Sequence, residues 1–453
     1  MSFIPLKKFL KYTFRTVLAI LLLLSVIFIS LFFLIQQPKV QTFLVHKVGD
    51  YLSKQLGSEV KVDSVSIDFI RTVEIYNVYL SSQKSKTDTI LYVKKLDVDL
   101  MLGKTLLNQI NKLKQSKIYI DNVSLDGVRF NGYRAKEDSL YNFHFLLEQF
   151  SSKNPKPKKK KSGKPIELRL NHLLLTNSNL ILDDLHTDKR MDIRFTKIEA
   201  NVRAFNISPL KIDVKELEMI DPFYKLTLYN EIEKIKDPNH HSNGFDVQGL
   251  GKKLNITVDK LKMQNGNHAM DFKNRDIKAG TFLISAMNIH NINIDVNKYR
   301  WDSTGMHVGI DNLSAIGDDN LNVKKLSAAT LLDNNGIYMD DADIAYNNSK
   351  IQGNLAIQFT DEWRSFSDFE NKVIMKADIK EATVFAKDVA VFAPKIQKYI
   401  PEKVQMHGLV KGRLANLRTE QLFVSAGKNT RIDISGNIKG LPHINNTLFD
   451  LKV

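Results

Sequence analysis

The chain has 453 residues, of which 43% are hydrophobic and 25% charged, which is enough apolar sequence to form folded domains. The absence of cysteine excludes disulfide bonds, thiolate metal sites and cysteine nucleophiles. The net charge of +15 is concentrated in two short stretches: four basic residues precede residue 16, and seven lysines lie between Lys153 and Lys164. A nucleic-acid-binding fold carries its basic residues on the folded body, so we predict no nucleic-acid partner.

An uncharged apolar run of 19 residues begins at Val17 and ends at Ile35. As a helix it is about 28 Å long, close to the hydrocarbon thickness of a bilayer. By the positive-inside rule, the basic residues before it keep the N-terminus in the cytoplasm. The residues predicted to anchor the chain are Val17, Leu21, Leu24, Ile27, Phe32 and Ile35. A cleaved signal peptide is the alternative, but its apolar core is usually shorter and ends at small residues.

An amphipathic helix is predicted at residues 39–57. Its apolar positions follow the spacing of one helix face: Val40, Phe43, Leu44, Val48, Tyr51, Leu52 and Leu56. Gly57 stands where helices commonly end. Two interpretations remain open: the helix packs this face on the following sheet, or it lies partly in the membrane interface.

From Glu59 onward the apolar period changes from 3.6 to 2 residues, which is typical of β-strands. Alternating segments recur along the chain, and clusters such as Asp126-Gly127 and Asn177 to Asn179 between them indicate turns. This turn spacing predicts roughly 30 strands and a sheet about 140 Å long. The candidate residues for lining its apolar side are Val60, Val62, Ile67, Ile432, Ile434 and Ile438.

These segments predict a mainly β fold, a long curved antiparallel sheet preceded by one transmembrane helix and one amphipathic helix. A strand with one apolar face must cover that face. Closed sandwiches and barrels do so in units of about 100–250 residues, but no boundary between such units is visible. We therefore expect an open groove with its apolar face turned inward, and a closed sandwich is the alternative.

The chain divides into five parts: residues 1–38 (cytoplasmic tail and signal anchor), 39–57 (amphipathic helix), 58–150 (first β-segment), 151–165 (linker) and 166–453 (repetitive β-groove segment). The linker is rich in lysine and proline, which predicts an extended chain. It is either a solvated spacer or a segment that contacts anionic headgroups or cell-wall polymer.

No motif of enzymatic chemistry is found. Gly103-Lys104-Thr105 resembles the end of a P-loop, but Val98 stands where that motif needs glycine. His240-His241 lies in a polar loop, and the aspartates around Asp340 lack the spacing of a calcium loop. We therefore predict no catalytic residue, no cofactor and no metal ligand, and a protein that is not an enzyme.

Two groups of residues together resemble a known family. The first follows the apolar run and contains Val40-Gln41-Thr42-Phe43-Leu44, Tyr51-Leu52-Ser53-Lys54-Gln55-Leu56-Gly57, Val60-Lys61-Val62 and Val65-Ser66-Ile67. The second contains Asp388, Ala390, Phe392, Pro394, Gly408-Leu409-Val410-Lys411-Gly412, Leu414 and Gly440-Leu441-Pro442. Their order, with the anchor, resembles AsmA-like proteins, most closely the TamB (translocation and assembly module) branch of the Bacteroidota. The resemblance runs, with gaps, from residue 1 to 453.

The resemblance implies a β-taco, a long groove with a hydrophobic concave face. It implies a single-pass protein of the inner membrane whose bulk reaches across the periplasm and carries phospholipid toward the outer membrane. The alternative is a scaffold or chaperone for outer-membrane protein translocation and assembly with a barrel partner of the TamA type. Because TamB-type chains are far longer, residues 166–453 are expected to be a groove segment truncated at its C-terminus.

Overall fold

In the computed structural model, nineteen β-strands form one continuous sheet. The structure describes residues 37–68, 72–83, 88–100, 117–146, 167–207, 210–229, 246–273, 288–318, 321–361, 365, 368–392, 397, 400–427, 430–441 and 446–452. The predicted anchor, with its residues Val17 to Ile35, and the predicted linker at 151–165 lie outside these residues. Within the described ranges, no helix combines the length and the apolar composition needed to cross a membrane.

The strands, in chain order, are β1 Val60–Asp68, β2 Thr72–Ser81, β3 Thr89–Leu100, β4 Lys117–Arg134, β5 Glu167–Asp184, β6 Lys189–Ile207, β7 Leu210–Ile220, β8 Phe223–Leu228, β9 Leu254–Phe272, β10 Ile289–Asp302, β11 Gly305–Gly317, β12 Asn322–Leu332, β13 Gly336–Tyr346, β14 Ser349–Phe359, β15 Val373–Phe385, β16 Lys403–Arg413, β17 Asn416–Ala426, β18 Thr430–Lys439 and β19 Leu448–Lys452. The described helices are α1 Pro38–Leu56, α2 Val247–Lys253, α3 Phe369–Lys372 and α4 Ala386–Phe392. The prediction of a mainly β fold is confirmed.

The strands lie in the sheet in chain order. Neighbours pair antiparallel from β1 to β4, from β5 to β7, and from β9 to β19. β7 and β8 lie end to end in one position, because both pair with β6 on one side and with β9 on the other. Among the described residues β1 pairs only with β2 and β19 only with β18, so this sheet is open.

Three details of the predicted sheet are wrong. β4 pairs with β5 in parallel, and so do β7 and β8 with β9. The strand number is nineteen instead of roughly 30, because β6 and β9 reach 19 residues each. Asp126-Gly127 and Asn177 to Asn179 are not turns but lie inside β4 and β5. At about 4.8 Å per strand the sheet is about 80 Å across.

The helix predicted after Pro38 is observed as α1. It ends where expected, since Gly57 takes the left-handed conformation (φ 63°) and closes the last turn onto the Ser53 carbonyl. Leu56 packs beside a small buried cluster that includes Leu80. Two residues of the predicted apolar stripe are not packed against the sheet: Phe43 is 59% exposed and Tyr51 is 62% exposed.

A buried ion pair links the last residue of β4 to the last residue of β5. Asp184, at the end of β5, pairs with Arg134, and their side chains are 8% and 15% exposed. Asp184 also accepts hydrogen bonds from the hydroxyls of Tyr141 (2.8 Å) and Thr187 (2.6 Å). Burial alone raises the pKa of Asp184, but the hydrogen bonds from Arg134, Thr187 and Tyr141 outweigh it and hold that pKa well below its usual range.

We expect Asp184→Asn to lower the local free energy of unfolding by about 3 kcal/mol, because Arg134 loses its counter-ion in a buried place. Hydrogen exchange of β4 to β6 measures this loss. The control is Asp341→Asn, because Asp341 and its ion-pair partner Lys380 are 82% and 62% exposed and such surface pairs add little stability. Because the pKa of Asp184 is lowered by folding, its contribution is present above about pH 4 and lost as the pH falls further. Equal losses in both variants contradict the assignment.

Candidate functional site: the apolar face of the sheet

The six candidate lining residues lie opposite apolar residues of the neighbouring strand. The pairs are Val60 with Leu80, Val62 with Val78, Ile67 with Val73, Ile432 with Val424, Ile434 with Leu422, and Ile438 with Leu417. Directly opposed residues of a ladder stand on the same side of a sheet. Each candidate therefore belongs to an apolar patch that spans at least two strands.

These patches are parts of two long apolar rows, in which each residue lies opposite the next. The first row runs from β1 to β12: Ile67, Val73, Val98, Val123, Leu173, Ala200, Leu217, Leu261, Val296, Ile310 and Ala328. The second runs from β12 to β18: Leu326, Ile344, Ile351, Ala382, Met406, Val424 and Ile432. Because Ala328 and Leu326 are two residues apart on β12, the rows share one side of the sheet. We call this side the apolar face.

The apolar face stays continuous because many strands carry an irregularity. Apolar positions step by three residues from Val62 to Val65 on β1 and from Ile75 to Val78 on β2. Strict alternation puts residues three apart on opposite sides, so the backbone leaves the regular extended conformation at this step, while the strands stay in register. Residues with positive φ mark this step on β2, β4 and β5: Asn77 (51°), Gly127 (68°) and Asn177 (48°). In the sequence, the three-residue spacing of Val62 and Val65 is the signal of this irregularity on β1.

A second line of irregularities crosses β13 to β18. The positive-φ residues on it are Asp341, Gly353, Gly408, Gln421 and Gly436. The register between neighbouring strands shifts beside each of them. Bulges bend a strand and increase its twist, so this second line marks the place where β13 to β18 bend.

The opposite side of the sheet carries charged side chains. Lys95 lies 3.0 Å from Glu74 and 2.9 Å from Asp97, and these contacts raise its pKa. Similar groups recur on later strands: Lys197 with Glu199 and Glu218, Lys325 with Asp343, and Lys411 with Glu420. All these positions alternate with the apolar rows. The sheet therefore has one charged and one apolar side.

The apolar face is not covered by another sheet within the described residues, because all nineteen strands belong to the same sheet. Val60, Val62, Ile432, Ile434 and Ile438 are only half-buried, and the side chain of Ile67 lies outside what the structure describes. In a closed sandwich the inner side chains interdigitate with a second sheet and lose their contact with water. The described part of the chain thus shows no separate second sheet of the kind that the sandwich alternative requires.

Asp388, one of the residues that carry the family resemblance, has a structural environment. Its buried carboxylate accepts hydrogen bonds from the Ser349 hydroxyl (2.6 Å) and the Asn348 amide (2.9 Å), which ties α4 to the turn between β13 and β14. Burial and the nearby Asp388 charge raise the pKa of Tyr346 to about 12. This cluster supports the fold and holds no group exposed for chemistry.

Neither ion chemistry nor similarity to known proteins adds to this site. Over the ranges that the structure describes, no three His, Asp or Glu side chains lie close enough to hold a metal ion. No family model matches the chain, and no curated protein is significantly similar to it. The apolar face is therefore the candidate functional site of this chain.

Proposed function

We propose that this chain is a bridge-like protein of the AsmA-like, TamB type that carries phospholipid along the apolar face of its sheet toward the outer membrane. The observation that carries the proposal is the pair of apolar rows from Ile67 on β1 to Ile432 on β18. A continuous apolar surface about 80 Å across, on which most of the larger side chains are half-buried, is unusual in a water-soluble domain and indicates an apolar ligand.

The energetics favour movement along this surface. An acyl chain loses about 0.8 kcal/mol of stabilisation for each CH₂ that passes from bilayer to water, so unaided transfer is costly. The apolar rows offer a similar contact at every strand, about 4.8 Å apart. Because successive positions are alike, a lipid exchanges equivalent contacts and meets no single deep trap. In this proposal the sheet bends into a trough that covers the acyl chains and leaves the headgroup in water.

The proposed location follows from the sequence. The apolar run from Val17 to Ile35, with basic residues before it, supports an inner-membrane anchor with a cytoplasmic N-terminus. The sheet then lies in the periplasm. The alternative is a scaffold for outer-membrane proteins with a barrel partner of the TamA type, and it predicts bound unfolded polypeptide in place of lipid.

A photo-crosslinking residue tests the proposal on both sides of the sheet. Placed at Ile434 or at Leu261, on the apolar face, it should capture phospholipid in cells, and mass spectrometry of the adduct identifies it. Placed at the adjacent Asp433 or Lys262, on the charged side, it should capture none. Equal capture on both sides, or polypeptide captured on the apolar face in place of lipid, contradicts the conduit.

A further inference from the structure

β1 has a free edge among the described residues. The Ser81 amide donates to the Glu59 carbonyl at 3.0 Å, so Glu59 directs its backbone groups toward β2. In an antiparallel ladder, alternate residues direct their N–H and C=O groups to opposite edges. Val60 and Val62 therefore direct these groups away from β2.

Helix α1 satisfies only the first of these residues. The Val60 amide donates to the Ser53 hydroxyl at 2.8 Å, and this hydroxyl also lies 3.3 Å from the Val60 carbonyl oxygen. The Ser53 hydroxyl thus accepts the hydrogen bond that a neighbouring strand's carbonyl would accept, and it donates its own proton to the Gly49 carbonyl at 2.7 Å. Gly49 lies close beside it, since a Cβ there would be 3.3 Å from the Val60 carbonyl oxygen.

Beyond Val60, the helix and the strand enclose a cleft. Its volume is about 840 Å³, and its lining includes His46, Asp50, Lys54, Lys61, Val62 and Asp63. The free backbone groups of Val62 point into this cleft. The lining carries charges of both signs, which suits a ligand of low net charge.

We propose that this cleft binds an extended peptide segment, which pairs with β1 from Val62 onward and adds a strand to the sheet. Its backbone accepts hydrogen bonds from this edge, as the Ser53 hydroxyl does from the Val60 amide. A segment with alternating apolar and polar residues fits best, because its apolar side chains continue the apolar face at Val60 and Val62. Its polar side chains then lie beside Lys61 and Asp63 on the charged side.

This inference is independent of lipid transport, because it uses the edge of the sheet and not its apolar face. The occupant is a polypeptide, since only a peptide backbone carries donors and acceptors at the spacing of a β-ladder. A second copy of this chain is the competing occupant, and the experiment distinguishes the two.

The probe is a fluorescent ten-residue peptide with the sequence of β2, TVEIYNVYLS, which pairs with the other edge of β1. In two further versions of the peptide, every second backbone amide carries an N-methyl group. One version blocks the amides of one edge of the strand, and the other version blocks the amides of the opposite edge. Because an added strand turns only one edge toward β1, we expect one methylated peptide to bind at least about tenfold more weakly and the other to bind like the parent. Fluorescence anisotropy with the full-length chain measures the affinities.

The matched variants are Val62→Pro and Val62→Ala. Proline removes the donor that faces the cleft and is accepted on edge strands, whereas alanine keeps the donor. We expect peptide binding to fall about tenfold in Val62→Pro and to change little in Val62→Ala. Hydrogen exchange of β2 and β3 checks the fold; if Val62→Pro does not fold, the methylated pair decides on the unaltered chain.

Three outcomes overturn the proposal. The first is equal binding of both methylated peptides, and the second is undiminished binding to folded Val62→Pro. The third is a concentration-dependent dimer of the unaltered chain that Val62→Pro abolishes, which assigns the cleft to a second copy.

Discussion

Replacing Gly353 with alanine is expected to separate β14 from β15 locally. Gly353 has a φ of 154°, and a Cβ there would overlap the Asp378 carbonyl oxygen and lie 3.0 Å from the Ile379 Cα. Both are backbone atoms of the neighbouring strand, which cannot rotate away as a side chain does. Backbone strain and overpacking together cost about 3 kcal/mol or more.

The matched control is Gly427→Ala. Gly427 also has a positive φ, 62°, but its Cβ would meet nothing within 4 Å. This substitution therefore carries the conformational cost alone, about 1–2 kcal/mol. Hydrogen exchange of β13 to β15 should accelerate strongly in Gly353→Ala, while Gly427→Ala leaves these strands protected. Similar exchange in both variants means that the bulge line does not require close contact between strands.

Ile434→Glu is expected to stop lipid transfer while the protein stays folded. Ile434 lies opposite Leu422 on the apolar face and is half-buried. In an open groove the new carboxylate hydrates on the accessible side, so the fold survives. An acyl chain that passes it must contact a charge, which costs several kcal/mol and lowers transfer by at least about tenfold.

The control is Asp433→Asn, which changes the neighbouring position on the charged side and should leave transfer unchanged. Transfer of fluorescent phospholipid between donor and acceptor vesicles gives the rate, and circular dichroism reports the fold. A folded Ile434→Glu protein with full transfer contradicts the conduit. If Ile434→Glu instead unfolds the chain, the residue lies in a closed core and the sandwich alternative is correct.

Asp388 illustrates the limit of a family resemblance as a guide to chemistry. The sequence marked it as part of a motif, and its carboxylate is buried against the Ser349 hydroxyl. This environment ties α4 to a turn, which no spacing in the sequence indicates. A motif residue can therefore be required for the fold alone.

The local features of this protein were determined by the sequence itself. The period of two residues predicts strands with one apolar side, because side chains of an extended chain point alternately to its two sides. The end of α1 at Gly57 was equally predictable, since a left-handed residue after a helix favours glycine. All six lining candidates lie opposite apolar partners for the same local reason.

The tertiary structure alone decided which polar clusters are turns. Asp333 to Gly336 does join β12 to β13, but Asp126-Gly127 and Asn177 lie within long strands. Asn, Asp and Gly favour turns and also tolerate a positive φ inside a strand, so the same residue types serve both. Only the neighbouring strands, which stay in register on both sides of Asn177, place it inside a strand and not at a turn. The parallel pairing of β4 with β5 was equally hidden, because it depends on contacts between residues 50 positions apart in the chain.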